Sequence, residues 1–180
     1  IEQETRIGGT IAAYPRRIVE NVIAASDGAL TGPVARGDTE TVGMHLEALE
    51  GTAPGLRART VEPAGFDDMA RSLAVGERLD NPAATGSICD AILTPRPGAM
   101  TFPILRRLAG PGLTVTDEEA LRAMALAFTH LRIVLEPGGA VSLAAALFRG
   151  NEIEGGDVAV IGSGGNVAPE LFAEAIRRFA

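Results

Sequence analysis

No lysine occurs among these 180 residues; all sixteen basic side chains are arginine. A lysine amine can be neutralised and attack a carbonyl, whereas an arginine guanidinium keeps its proton in proteins. Chemistry that needs a side-chain amine, a Schiff base above all, is therefore excluded for this sequence by itself. Cysteine is nearly as scarce. Cys89 stands alone and cannot close an internal disulfide. With no charged-then-apolar leader at the start, this predicts a reducing, cytoplasmic setting. Tryptophan is missing and aromatics make up 4%, so Ala, Val, Ile and Leu must build the core. No apolar run approaches the ~18 residues of a membrane span, and no membrane contact is expected. The net charge of −7 comes from acidic residues scattered among arginines. Without a polybasic patch, nucleic acid is not an expected partner.

What remains is the composition of a globular α/β protein, 46% apolar and 22% charged. At this length roughly 70% of the unfolded surface can be buried, and a single α/β domain over residues 1–180 is the expectation. "TIAAYPRR" (10–17) suits a short helix limited by Pro15, and "IVENVIAAS" (18–26) a buried strand. Helical spacing of Val42, His45, Leu46 and Leu49 marks 38–50, and "GLRARTVEP" (55–63) reads as a strand halted by Pro63. Strand, glycine turn, helix and strand in that order make a parallel crossover unit the economical reading.

Residues 64–98 are rich in proline and glycine, with short helical pieces in "FDDMARSLAVG" and "TGSICDAIL". Leu113 to Val115 read as a strand, after which Thr116 and Glu119 form a capping box opening a helix to about His130. Its apolar stripe is Leu121, Met124 and Phe128. An alanine-rich helix covers 139–148. "DVAVIGSGGNVAPELFAEAIRRFA" then predicts a buried strand, a glycine turn and a helix begun near Pro169. The fold class is thus α/β, an open, mostly parallel twisted sheet with helices on both faces.

Three motifs carry candidate chemistry. "GSGGNV" (162–167) lies at the carboxyl end of a strand, where open α/β sheets bind ligands; the Ser163 hydroxyl can serve a ring nitrogen or an oxyanion. Its alternative is a tight turn capped by Asn166. "VEPAGFDD" (61–68) gathers Glu62, Asp67 and Asp68, two of which can join a backbone carbonyl around a hard cation; as an alternative, Asp67 or Asp68 simply caps the next helix. "LEPGGAVSLAAAL" (135–147) puts Glu136 at a helix N-terminus, which is also a plain helix start. A fourth stretch, "SDGALTG" (26–32), has the setting of a phosphate loop, although Asp27 opposes an anion there. His45 and His130 read as boundary residues, and Cys89 as a small buried one.

In this order, "VEPAGFDD", "GSICDAIL", "VTDEEALRAM", "VLEPGGAVSLAAAL" and "GSGGNV" resemble the C-terminal half of the serine/threonine dehydratases. These are pyridoxal-phosphate enzymes of fold type II, similar to threonine ammonia-lyase and serine racemase. The resemblance implies that Ser163 faces the pyridine nitrogen, that Gly164 and Gly165 let the backbone pass the ring, and that Glu136 and Asn166 lie in the cofactor pocket. By the same resemblance Ser26, Gly28, Ala29 and Leu30 occupy the cofactor-phosphate loop. Glu62, Asp68 and the Phe66 carbonyl match a site for magnesium, calcium or a monovalent cation. The implied reaction eliminates water from the β-carbon of L-serine or L-threonine, a small-molecule substrate, and hydrolysis of the enamine then gives a 2-oxo acid and ammonia.

Two departures stand beside the match. The family's cofactor lysine, its small domain and the first elements of its large domain are expected upstream of this sequence, and the sequence alone is expected to be inactive. Where relatives have four glycines, Ser26, Asp27, Gly28 and Ala29 stand here. At an effective dielectric near 20, Asp27 about 4 Å from a dianionic phosphate would cost on the order of several kcal/mol. Self-association or pairing with a missing N-terminal half is expected. A non-catalytic relative serving as a binding or partner subunit is the alternative.

Overall fold

The computed structural model describes residues 58–154 and 158–180, all within the compact unit Leu46–Ala180. Ser26, Gly28, Ala29, Leu30, His45 and the elements expected before residue 58 lie outside the described residues.

Strand β1, Val61–Pro63, pairs in parallel with β2, Leu113–Val115, in the register Val61↔Leu113, Glu62↔Thr114 and Pro63↔Val115. Pro63 has no N–H to give and falls at the strand's last position. Ladder bonds run past both ends, from Leu113 N to the Thr60 carbonyl and from Ala64 N to the Val115 carbonyl, each 2.8 Å. A parallel bridge between Ala58 and Ala109 extends the pairing backwards, towards the start of the expected strand at 55–63.

Parallel strands need a crossover, and residues 64–112 provide it. It holds helix α1 (Asp68–Val75), a single 3₁₀ turn (Asp90–Ile92) and helix α2 (Thr101–Leu108). The helical piece expected in "TGSICDAIL" is thus only that one turn. Helix α1 stops at Gly76, whose φ of 82° is left-handed and whose N–H bonds the Ser72 carbonyl.

Helix α3 (Asp117–Leu126) starts with both halves of the capping box formed: Glu119 N donates to Thr116 Oγ1, and Thr116 N donates to Glu119 Oε2 at 2.8 Å. It ends before His130, giving way to a π-helical turn at Ala127–Leu131. Helix α4 (Pro137–Phe148) begins two residues earlier than the alanine pattern suggests, because Pro137 suits the first helical position. Helix α5 (Pro169–Phe179) closes the chain, and the Phe128 ring meets Phe172 edge-on with centroids 5.3 Å apart.

Helix α3 packs between α4 and α5, while α4 also packs on both strands. Ala120, Ala123, Ala140 and Ala144 are fully buried, which lets the helix axes come close. Leu121 and Met124 of the expected stripe are buried as well. The chain is of the α/β class, with helices against a parallel pair. One expectation is corrected. Residues 158–162 are exposed and join no sheet; among the described residues no strand lies beside them to take their ladder bonds. No helix among the described residues is long and apolar enough to cross a membrane.

Candidate functional site

The first turn of α4 and the glycine turn after residue 161 are stitched together. Ser163 N donates to the Gly139 carbonyl at 3.3 Å, and Glu136 N donates to the Gly164 carbonyl at 3.2 Å. Ser142 Oγ adds a 2.6 Å bond to the Ile161 carbonyl. Three glycines make this approach feasible. A side chain on Gly139 would begin where the Ser163 carbonyl oxygen lies. One on Gly164, at φ 75°, would meet the Glu136 carboxylate, and one on Gly165 would fall 2.9 Å from the Val134 carbonyl.

Glu136 is the N-cap residue of α4, and Ser163 lines a cleft of about 260 Å³. Val61, Glu62, Ile92, Val141 and Ser142 complete most of its wall. The structure therefore brings Glu136, Ser163, Gly164 and Gly165 together beside β1. Asn166 follows on the surface. It is not the cap of α5, since Ala168 takes that position.

The second cluster sits at the other end of Glu62. Gly65, with φ 84°, turns the chain back after β1, and the buried Phe66 anchors the loop with its N–H on the Pro63 carbonyl. Asp67 is at the N-cap of α1 but makes no side-chain cap bond; it pairs instead with Arg71 at 3.1 Å. Glu62 supplies the cap. Its Oε1 accepts from Met69 N at 2.9 Å and its Oε2 from Ala70 N at 2.8 Å.

Burial pushes the Glu62 carboxyl up to about 7; the two N–H bonds oppose this, and the negative charges of Asp68 and Asp67 reinforce it. Asp68 is 1% exposed and is also raised, by burial first. Hydrogen bonds from Asn81, its own backbone, Thr94 and the Glu62 carboxyl pull the other way. Burial thus raises the proton affinity of both neighbouring carboxyls. Among the described residues no group of three or more His, Cys, Asp or Glu side chains is placed to hold a metal ion by itself.

Asn81 and Thr94 belong to this cluster, although neither stands out in the sequence. Each directly precedes a proline, Pro82 or Pro95, which favours an extended backbone and is the one local signal available. His130 is exposed on the π-helical turn. Cys89 is buried, and burial raises its thiol to about 11 with help from Asp117 and Asp90, against the Ser87 hydrogen bond. It is the small, inert core residue expected.

Comparison with known proteins adds independent findings. A family model described as pyridoxal-phosphate dependent enzyme matches residues 16–164. Serine racemase of Dictyostelium discoideum is 36% identical over 118 residues, covering 63% of this chain and 36% of that protein. L-threo-3-hydroxyaspartate ammonia-lyase of Pseudomonas sp is 34% identical over 138 residues, covering 72% and 42%. Among solved structures, the T.th. threonine deaminase superposes with a TM-score of 0.64 at 37% identity, covering 68% of this chain and 41% of that one. The chain spans about two fifths of the length of these relatives.

Proposed function

This chain belongs to the pyridoxal-phosphate-dependent enzymes, and from that premise we propose that it forms the ring-side wall of a lyase acting on a β-hydroxy amino acid. The reaction assigned is elimination of the β-hydroxyl of L-serine or L-threonine as water, followed by hydrolysis of the resulting enamine, which takes one water back and releases ammonia and a 2-oxo acid. The observation that carries this reading is the Ser163–Gly165 turn, laid across the first turn of α4 and open to the cleft beside β1.

The residues fit the cofactor: a side chain at Gly139, Gly164 or Gly165 would strike the Ser163 carbonyl, the Glu136 carboxylate or the Val134 carbonyl and push apart the turn that would back a flat ring. When bound, pyridoxal phosphate supplies an electron sink for the pair released as a substrate Cα–H bond breaks. Ser163 would be the hydrogen-bond partner of the ring nitrogen; a hydroxyl, unlike a carboxylate, would not hold a proton there and so would temper the sink. Glu136 and Asn166 would belong to the same wall of the pocket. Ser26, Gly28, Ala29 and Leu30 would hold the phosphate, with Asp27 weakening their grip. No side chain here can act as the amine that tethers the cofactor, so that group comes from another segment or chain.

A cation, magnesium or calcium, is assigned to Glu62, Asp68 and the Phe66 carbonyl. A buried and a half-buried carboxyl with raised proton affinity and no Arg partner among the described residues are a donor set that a hard cation suits. Its part is to fix the loop between β1 and α1. Exposed Leu131, Ile133, Val134 and Ile161 favour association with a second copy or with the polypeptide that carries the amine. The lone, buried Cys89 suits a reducing cytoplasm. The missing lysine also favours a second reading, a non-catalytic relative acting as a partner subunit.

The test uses the complete protein that carries this chain, saturated with pyridoxal phosphate and offered L-serine, L-threonine or L-threo-3-hydroxyaspartate. Release of a 2-oxo acid is expected, with Ser163→Ala lowering kcat roughly tenfold through the lost hydrogen bond. Absence of product from all three substrates, with cofactor bound, would favour the partner subunit.

A further inference from the structure

Asn81 lies outside every motif assigned above, yet it holds the buried carboxylate of Asp68. Its Nδ2 donates to Asp68 Oδ1 at 2.6 Å and to the Thr94 carbonyl at 2.7 Å. Its Oδ1 accepts from Arg71 Nη2 at 2.8 Å, and its backbone N–H bonds the Pro95 carbonyl at 2.9 Å. Arg71 is itself fixed by Asp67 and by the Asp80 carbonyl at 3.2 Å. A guanidinium only donates, so the Asn81 amide has one sensible orientation: oxygen to Arg71, nitrogen to Asp68.

The two oxygens of Asp68 are therefore unequal. Oδ1 takes the short amide bond, whereas the Thr94 hydroxyl spans both oxygens at longer range, 3.4 Å from Oδ1 and 3.3 Å from Oδ2. On the other side, the Glu62 carboxyl lies within hydrogen-bond reach of Asp68, and each of its oxygens accepts one helix N–H. We propose that Asn81 is a positioning residue for the cation: locked by Arg71, its amide holds Asp68 Oδ1 and leaves Oδ2 to meet the cation together with the Glu62 carboxylate. This rests on the cation reading given above. Outer partners of this kind fix the orientation of a ligating carboxylate, and their loss costs about 10- to 100-fold in metal affinity.

The experiment is thermal unfolding of the complete protein that carries this chain against added calcium chloride or magnesium chloride, with a chelator baseline. The native midpoint rises with the cation. In Asn81→Ala the cation concentration needed for half of that rise increases about tenfold or more. Arg71→Gln, which unlocks the amide while keeping it, shifts the same concentration in the same direction and covers the case in which Asn81→Ala fails to fold. Arg78→Gln is the control. Arg78 also ties this loop, through Nε to the Pro97 carbonyl at 2.7 Å, but does not touch Asp68. It lowers the midpoint equally with cation and with chelator. A native cation response in both Asn81→Ala and Arg71→Gln would overturn the assignment and leave Asn81 a mere tether. A native chain that responds to neither cation would overturn the cation site itself, and the role of Asn81 with it.

Discussion

The carbonyl oxygen of Ser163 occupies the place where a side chain on Gly139 would start. A turn that carries a candidate ring partner is thus registered on a helix by the absence of one methyl group.

Gly139→Ala tests that contact. Alanine is favoured over glycine inside a helix by about 1 kcal/mol, so propensity alone predicts stabilisation. Overpacking against a backbone carbonyl costs about 1–3 kcal/mol and should win, because the Ser163 N to Gly139 carbonyl bond leaves little freedom to shift. Urea unfolding is expected to show a less stable variant. A more stable one would mean that the turn moves aside at little cost.

The capping box of α3 carries a pH signature. Burial alone would raise the Glu119 carboxyl, but the Thr116 N–H and hydroxyl and the Arg149 guanidinium outweigh it and bring it below the usual value. Arg149 holds it through both guanidinium ends, with Nη2 at 2.7 Å from Oε2, and also reaches the Thr114 carbonyl of β2. A carboxyl with a lowered folded value is protonated more readily in the unfolded chain. Its stabilisation is therefore present above the ordinary value of 4.5 and lost as pH falls through the lowered one. In Glu119→Gln the stability difference from the native chain should be largest near neutral pH and shrink below about pH 4.5. A difference that does not change with pH would show that the charge is immaterial.

Local devices were legible in the sequence and long-range ones were not. Thr116 and Glu119 are three residues apart and announce a helix start whatever surrounds them; Pro63 ends a strand because it has no N–H. By contrast, Glu62 caps α1 across seven and eight residues, and no spacing rule separates that role from cation binding. Asn81 reaches Asp68 only because the crossover folds back, so its amide looks like any polar loop residue. The apolar run at 158–162 promised a buried strand, but strand formation depends on neighbours that the run itself does not specify.

Cys89 gives a test of the core. With its thiol raised to about 11, only about a thousandth is thiolate at pH 8, and the side chain is 1% exposed. Modification by an aromatic disulfide reagent should therefore be slow in the native chain and accelerate across the urea transition. Fast labelling of the native chain would mean that the 3₁₀ turn beside Cys89 opens locally.

The missing lysine makes the sharpest prediction for this sequence on its own. Pyridoxal phosphate added to the chain has no side-chain amine to react with, since arginine does not form such a bond. Borohydride reduction followed by peptide mass spectrometry should find cofactor mass at the amino terminus alone. Ring binding at the Ser163 turn is reversible and should be lost on dialysis after reduction. Mixing the chain with a lysine-bearing N-terminal portion of a related enzyme should move the reducible adduct onto that partner. A stable adduct on an internal residue of this chain would overturn the claim that the tethering amine must come from elsewhere.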